Sequence, residues 1–290
     1  EPATNSVLAG LTVGDGPRGV TLSPDRRFAY VANQYSNSIS VIATATDTVV
    51  ATVPVGDSPV WVAVKPDGSR LYVSNYGGSS VSVIAVVQQM GVTSFNVIAT
   101  IPLAGPPQYG AGPIGILVDP AGTRVYVANW SATSISVINT ATNTVIATIP
   151  LAFQPVGLAI DPNGSRLYSI GIRRLYSIDT TSLAVVAELE TPMAFSVSVS
   201  SDGSRVYIAS HLEGLIKIVD TATNTLIASI PVDSAPYGSL NASGTRYYLA
   251  GANGGHIQAL DTTTLTVTSS ASLVPDATQA NGNGFVVERP

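Results

Sequence analysis

Ten residues, Pro66 to Asn75, read Pro-Asp-Gly-Ser-Arg-Leu-Tyr-Val-Ser-Asn, and their recurrence along the chain constrains the fold more than any other feature. Near copies run from Pro24 to Asn33 and from Pro120 to Asn129, and shorter ones surround Tyr168, Tyr207 and Tyr248. The repeated tyrosines, Tyr30, Tyr72, Tyr126, Tyr168, Tyr207 and Tyr248, stand 42, 54, 42, 39 and 41 residues apart. A period of about 40 residues built from short alternating apolar segments is the pattern of four-stranded blades in a repeated array.

Blade 2 shows the expected unit most clearly: strand A at 60–64, strand B at 70–74, strand C at 80–86 and strand D at 97–103. The predicted fold is an all-β propeller of four-stranded antiparallel blades in a single domain over 1–290. Its repeats fall at about 17–55, 59–103, 113–151, 155–190, 194–232 and 236–273, with terminal strands at 6–13 and 285–288. Six complete repeats plus terminal strands leave two closures open: six blades, or seven with a partial closing blade. An unpaired terminal edge accepts a further strand, so a homo-oligomer joined through these ends is one expectation.

Composition narrows the setting. Charged residues make up 11% of the chain against 45% apolar, and only Lys65 and Lys217 are lysines, so the surface must be largely Ser, Thr, Asn and Gly. That balance, with the polar start Glu1 to Ser6, leads us to expect a secreted, periplasmic or cell-surface protein. A net charge of −5 provides no general attraction for a phosphate backbone, so no nucleic-acid partner is expected. No apolar run of spanning length is present, and without cysteine there is no disulfide, thiolate metal site or thiol nucleophile.

Tyr72-Val73-Ser74-Asn75, Tyr126-Val127-Ala128-Asn129 and the following Ile135-Ser136-Val137-Ile138 resemble the YVTN family of β-propeller repeats, found in bacterial and archaeal exported and surface-layer proteins. The resemblance spans roughly 17–273 in six copies. It weakens in blade 4, where Gly171 replaces the Asn, and in blade 6, where Gly251 does. It implies the fold and an exported setting, and it carries no catalytic residue.

In such a blade the D–A and B–C loops share one end, and the A–B and C–D turns share the other. On the first end fall Arg18, Gln34, Trp61, Tyr76, Tyr109, Trp130, Phe195, His211 and Tyr237. Aromatic side chains with a few polar groups at loop tips suit a protein, peptide or carbohydrate ligand, so these nine are the expected ligand-binding residues. The enlarged D–A loop at 104–112 and the extended C–D connection at 87–95 are the two insertions, and the first is the better binding candidate. At the opposite end, Asp25, Asp67, Asp119, Asp161 and Asp202, with Arg70, Arg124, Arg166, Arg205 and Arg246, recur at blade-equivalent positions. They are expected to cap turns and bridge neighbours.

The sequence contains one plausible acid–base group, His211, Glu213 and His256, from adjacent blades. It defines the alternative reading, a propeller lyase or lactonase-like hydrolase with a metal-assisted site. The leading expectation is a non-enzymatic binding, scaffold or self-assembling module with no cofactor and no metal. Triplets at Asn129, Asn163 and Asn241 match the N-glycosylation pattern, which arises readily in a Ser- and Asn-rich chain.

Overall fold

The computed structural model describes residues 10–89, 91–232, 237–241, 243–250 and 256–272. The expected terminal strand at 285–288 and residues 6–9 of that at 6–13 lie outside them, as does the side chain of His256, and the described remainder, 10–13, is not strand.

The described residues form six four-stranded antiparallel sheets, each in the order A-B-C-D. Blade 1 consists of β1 (Pro17–Leu22), β2 (Phe28–Asn33), β3 (Ser38–Ala43) and β4 (Thr48–Pro54). Blade 2 consists of β5 (Pro59–Val64), β6 (Arg70–Asn75), β7 (Ser80–Gln89) and β8 (Val92–Pro102). Blade 3 holds β9 (Pro113–Val118), β10 (Arg124–Asn129), β11 (Ser134–Asn139) and β12 (Thr144–Pro150). Blade 4 holds β13 (Pro155–Ile160), β14 (Arg166–Gly171), β15 (Arg174–Asp179) and β16 (Val185–Glu190). Blade 5 holds β17 (Ala194–Val199), β18 (Arg205–Ser210), β19 (Leu215–Asp220) and β20 (Thr225–Pro231). Blade 6 holds β21 (Tyr237–Leu240), β22 (Arg246–Ala250), β23 (His256–Asp261) and β24 (Thr266–Ser272).

The chain divides into two compact units, one carrying blades 1 to 3 and the other blades 4 to 6. In the first, β1, β5 and β9 lie side by side, and in the second β17 lies beside β21, so A strands of successive blades are neighbours. Period-2 alternation sorts the core between neighbouring blades. In blade 2, Leu71, Val73 and Ile84 pack on Phe28, Tyr30 and Val41 of blade 1, while Tyr72, Val81 and Val83 pack on Val125, Val127 and Ile138 of blade 3. The B and C strands are therefore buried on both faces, which is why they are rich in Val, Ile and Tyr. Blades 4 and 5 share a similar cluster around Tyr168, Ile170 and Val206, and blades 5 and 6 share one around Tyr207 and Tyr247.

The turns at the A–B end are tied as expected. Asp119 Oδ1 accepts from the backbone N–H groups of Thr123 and Arg124 at 2.7 and 2.9 Å, and Asp161 Oδ1 accepts from Arg166 N at 2.9 Å. Asp25, Asp67 and Asp202 close the same turn two residues ahead, onto Arg27, Ser69 and Ser204. Arg70 and Arg205 each donate across to the next blade, to the carbonyls of Thr140 and Thr262. A threonine after strand C then pins the turn: Thr140, Thr221 and Thr262 donate to the carbonyls of Gly122, Gly203 and Gly244 at 2.7 Å.

The stretch 87–95, expected as a loop, is instead a continuation of the sheet. Strands β7 and β8 pair without a break from Ala85↔Asn96 to Gln89↔Val92, making a long hairpin. Burial alternates along Val92-Thr93-Ser94-Phe95, with Thr93 and Phe95 turned inward, and Phe95 gives the hairpin an anchor. Its ring meets Phe28 edge-on at 5.6 Å and Tyr30 at 6.1 Å, so blade 2 clasps blade 1.

Candidate functional site

Three blades share a device that explains the Asn ending the repeat. Asn33, Asn75 and Asn129 are fully buried at the ends of β2, β6 and β10. Each amide Nδ2 donates to two serines on the neighbouring C strand: Asn33 to Ser38 and Ser40 at 3.2 and 3.0 Å, Asn75 to Ser80 and Ser82 at 3.1 and 3.0 Å, and Asn129 to Ser134 and Ser136 at 3.1 and 2.8 Å. Ser82 also accepts from Gly56 N at 3.2 Å, which ties the D–A loop into the same clasp. A β-carbon on Gly56 would come within 2.5 Å of Asn75 Nδ2, and one on Gly14 within 2.8 Å of Asn33 Cγ. In blades 1 and 2 the glycine three residues before the A-strand proline is thus what makes room for the Asn.

On this scaffold the first unit presents Arg18, Gln34, Trp61, Tyr76, Tyr109 and Trp130. Arg18 Nε donates to Gln34 Oε1 at 2.7 Å, fixing both side chains across the blade 1 loops. Tyr76 and Tyr109 point outward, Tyr109 being 73% exposed, and Tyr35 beside Gln34 is exposed to the same degree. Trp61 is placed differently. It is half-buried, packs on the cluster shared by blades 2 and 3, and leaves space only for Gly19 of blade 1. Trp130 is half-buried, its N–H bonded to Gly112 O at 2.9 Å at the end of the enlarged D–A loop.

In the second unit the structure brings Phe195, His211 and Tyr237 together. The Phe195 ring lies 5.8 Å from the His211 imidazole and 6.2 Å from the Tyr237 ring. His211 N donates to Met193 O at 3.1 Å, and Nδ1 is buried with no partner among the described residues. Glu213, in the same turn, is held by two donors on one oxygen: Ser210 Oγ at 2.7 Å and Lys217 Nζ at 2.7 Å. Burial would raise the pKa of Glu213, but the hydrogen bonds from Lys217 and Ser210 together outweigh it and hold the carboxyl below its ordinary value. An ionised, ion-paired Glu213 is poorly suited to be a general acid. Among the described residues no three His, Asp or Glu side chains converge as a metal site, and the side chain of His256 lies outside them.

Sequence reasoning identified His211 and Glu213 but missed Ser210 and Lys217. The signal was available: Ser210 stands where blades 1 to 3 have Asn, and Lys217 where they have the second clasp serine, Ser40, Ser82 or Ser136.

Six four-stranded antiparallel sheets in tandem, with B and C strands buried on both faces, define the chain as a β-propeller protein. The family model described as lactonase, 7-bladed beta-propeller, matches residues 44–154. The chain is also similar to a solved chain of Kuenenia stuttgartiensis hydrazine synthase, at 20% identity, covering 89% of this chain and 99% of that one with a TM-score of 0.59. At that identity the likeness concerns the fold alone. No curated protein sequence matches the chain.

Proposed function

We propose that the protein is an exported β-propeller of the YVTN type that binds a ligand through its D–A and B–C loops without transforming it, as a binding or scaffold module at or outside the cell surface. The observation that carries this reading is the state of the loop-end side chains. Tyr35, Tyr76 and Tyr109 are turned outward as contact groups, while Glu213, the carboxylate nearest in sequence to His211, is engaged by Lys217 and Ser210. Scarce lysine and a Ser-, Thr- and Asn-rich surface support the exported setting.

A second reading, lactone hydrolysis, is favoured by the family match. That match covers 44–154, a segment with no histidine and no glutamate. Its acidic groups are Asp47, Asp57, Asp67 and Asp119, of which Asp67 and Asp119 close turns. The segment therefore supports shared blade architecture better than shared chemistry.

The test is a pH-stat assay of the full chain on a γ-lactone and a δ-lactone, beside binding screens with soluble oligosaccharides and peptides. The expected result is no turnover above background and binding that a Tyr35→Ala/Tyr76→Ala/Tyr109→Ala variant weakens. Turnover abolished by His211→Ala or Glu213→Gln would establish the hydrolase instead.

A further inference from the structure

The regularity of the repeat breaks at the clasp, and in blade 5 the break brings chemistry with it. The two clasp serines of blades 1 to 3 become Leu215 and Lys217, and the Asn becomes Ser210. Lys217 is only 8% exposed, and among the described residues its ammonium has a single partner, Glu213. Packing does not require a lysine there, since serine fills the same place three times. Stability does not require it either, because burying an ammonium costs more desolvation than burying a hydroxyl and the ion pair returns little beyond that cost.

What the arrangement provides is an oriented acceptor. Ser210 and Lys217 both bond Glu213 Oε2, which leaves Oε1 to a ligand, and Lys217 cancels the charge so that no ion is selected. His211, in the same turn as Glu213, begins a row of rings with Phe195 and Tyr237, and its Nδ1 is buried with no partner among the described residues. A neutral ligand that donates hydroxyls along one edge and offers an apolar C–H face to aromatic rings is a saccharide.

We propose that this corner of blade 5 is a saccharide-binding subsite, in which Glu213 accepts from sugar hydroxyls and Phe195 and Tyr237 carry the apolar face of the sugar ring. Lys217 and Ser210 are positioning residues that act through Glu213. The assignment rests on the reading of the loop ends as a binding surface, and it names the ligand class.

The experiment is calorimetric titration of the full chain with cellohexaose, chitohexaose, maltohexaose and laminarihexaose. Variants are checked for native far-UV and near-UV circular dichroism. At least one saccharide should bind, and Glu213→Gln and Phe195→Ala should each weaken it at least tenfold. Lys217→Met should weaken binding similarly in the wild-type background and have little further effect on top of Glu213→Gln, a coupling that mere loss of packing would not produce. Saccharide binding unchanged in Glu213→Gln and Phe195→Ala but lost in Tyr35→Ala/Tyr76→Ala/Tyr109→Ala overturns the subsite and leaves the loop-face reading standing. Binding of peptides but of none of the four saccharides overturns the ligand class. Binding of neither overturns both readings.

Discussion

At the scale of single residues, the Asn–Ser–Ser clasp and its glycine behave as one unit. Replacing Asn75 by Ala removes the donor to the buried Ser80 and Ser82 oxygens, of which Ser82 keeps Gly56 N–H, and should cost about 1–3 kcal/mol, measured by denaturant unfolding. Gly56→Ala should cost a similar amount, about 1–3 kcal/mol, because Asn75 is held by two hydrogen bonds and has little freedom to retreat from the new methyl group. Adding Asn75→Ser to Gly56→Ala should recover part of that loss, a non-additivity that identifies the contact. Blades 4 and 5 show the same size exchange in reverse: Ala152 and Thr191 stand where Gly14 and Gly56 do, and the Asn shrinks to Gly171 and Ser210. The turn carboxylates make a separate prediction. Hydrogen bonds from Ser200 and Ser204 hold Asp202 at a pKa of about 2, against an ordinary 3.8. Asp67 also lies at about 2: desolvation is the largest single influence and raises it, but Lys65 and Ser69 together prevail. A depressed pKa adds stability that is complete above the ordinary value and lost as pH falls through the lowered one. Acid unfolding should therefore steepen between about pH 4 and pH 2, and Asp67→Asn/Asp202→Asn should flatten that limb; an unchanged profile would remove these turns from the account.

At the scale of elements, the outer strand of each blade carries a β-bulge at the same place. Strand β3 steps from Val41↔Ala51 to Ile42↔Val49, leaving Val50 as the extra residue, and the same step leaves Ile98, Ile146, Val186 and Ile227 in β8, β12, β16 and β20. Two residues facing one partner break the alternation, so an apolar side chain is left 49–51% exposed in each of these five strands. The bulge also twists the unpaired edge, which opposes pairing with another chain. Changing Ile98 and Ile146 to Thr should leave stability within about 0.5 kcal/mol per site while improving solubility, read by unfolding and light scattering. The hairpin of β7 and β8 depends on its aromatic anchor, and Phe95→Ala should cost about 1–3 kcal/mol, less than for a fully buried Phe because the ring is only half-buried.

For the molecule as a whole, regular and divergent blades separate along the chain. Blades 1 to 3 repeat the clasp unchanged, whereas blades 4 to 6 replace it with Gly171, with Ser210 and Lys217, and with Gly251. Converting blade 5 to the common pattern with Thr191→Gly, Ser210→Asn, Leu215→Ser and Lys217→Ser should yield a protein about as stable as the original, since the buried ion pair gives way to an uncharged Asn–Ser–Ser clasp. The same fourfold change should abolish saccharide binding. A stable variant that still binds would show the divergence to be neutral drift of a scaffold position.

The period of the tyrosines and the alternation within each segment were enough to read a propeller, its strands and its Asp-closed turns, because blade pairing, turn chemistry and two-sided burial are all local or repeated properties of the chain. Tertiary structure was needed wherever an outcome depended on which neighbour a side chain meets. Alternation shows that Leu71 and Tyr72 face opposite ways, but only packing shows that one meets blade 1 and the other blade 3. It also shows that Phe95 turns a suspected loop into a clamp and that Trp61, an expected contact residue, spends much of its ring on the core. Lys217 and Glu213 are four residues apart, and the sequence contains no rule that joins them. They meet because the turn after Ser210 folds Glu213 back over a strand position that the other blades give to serine.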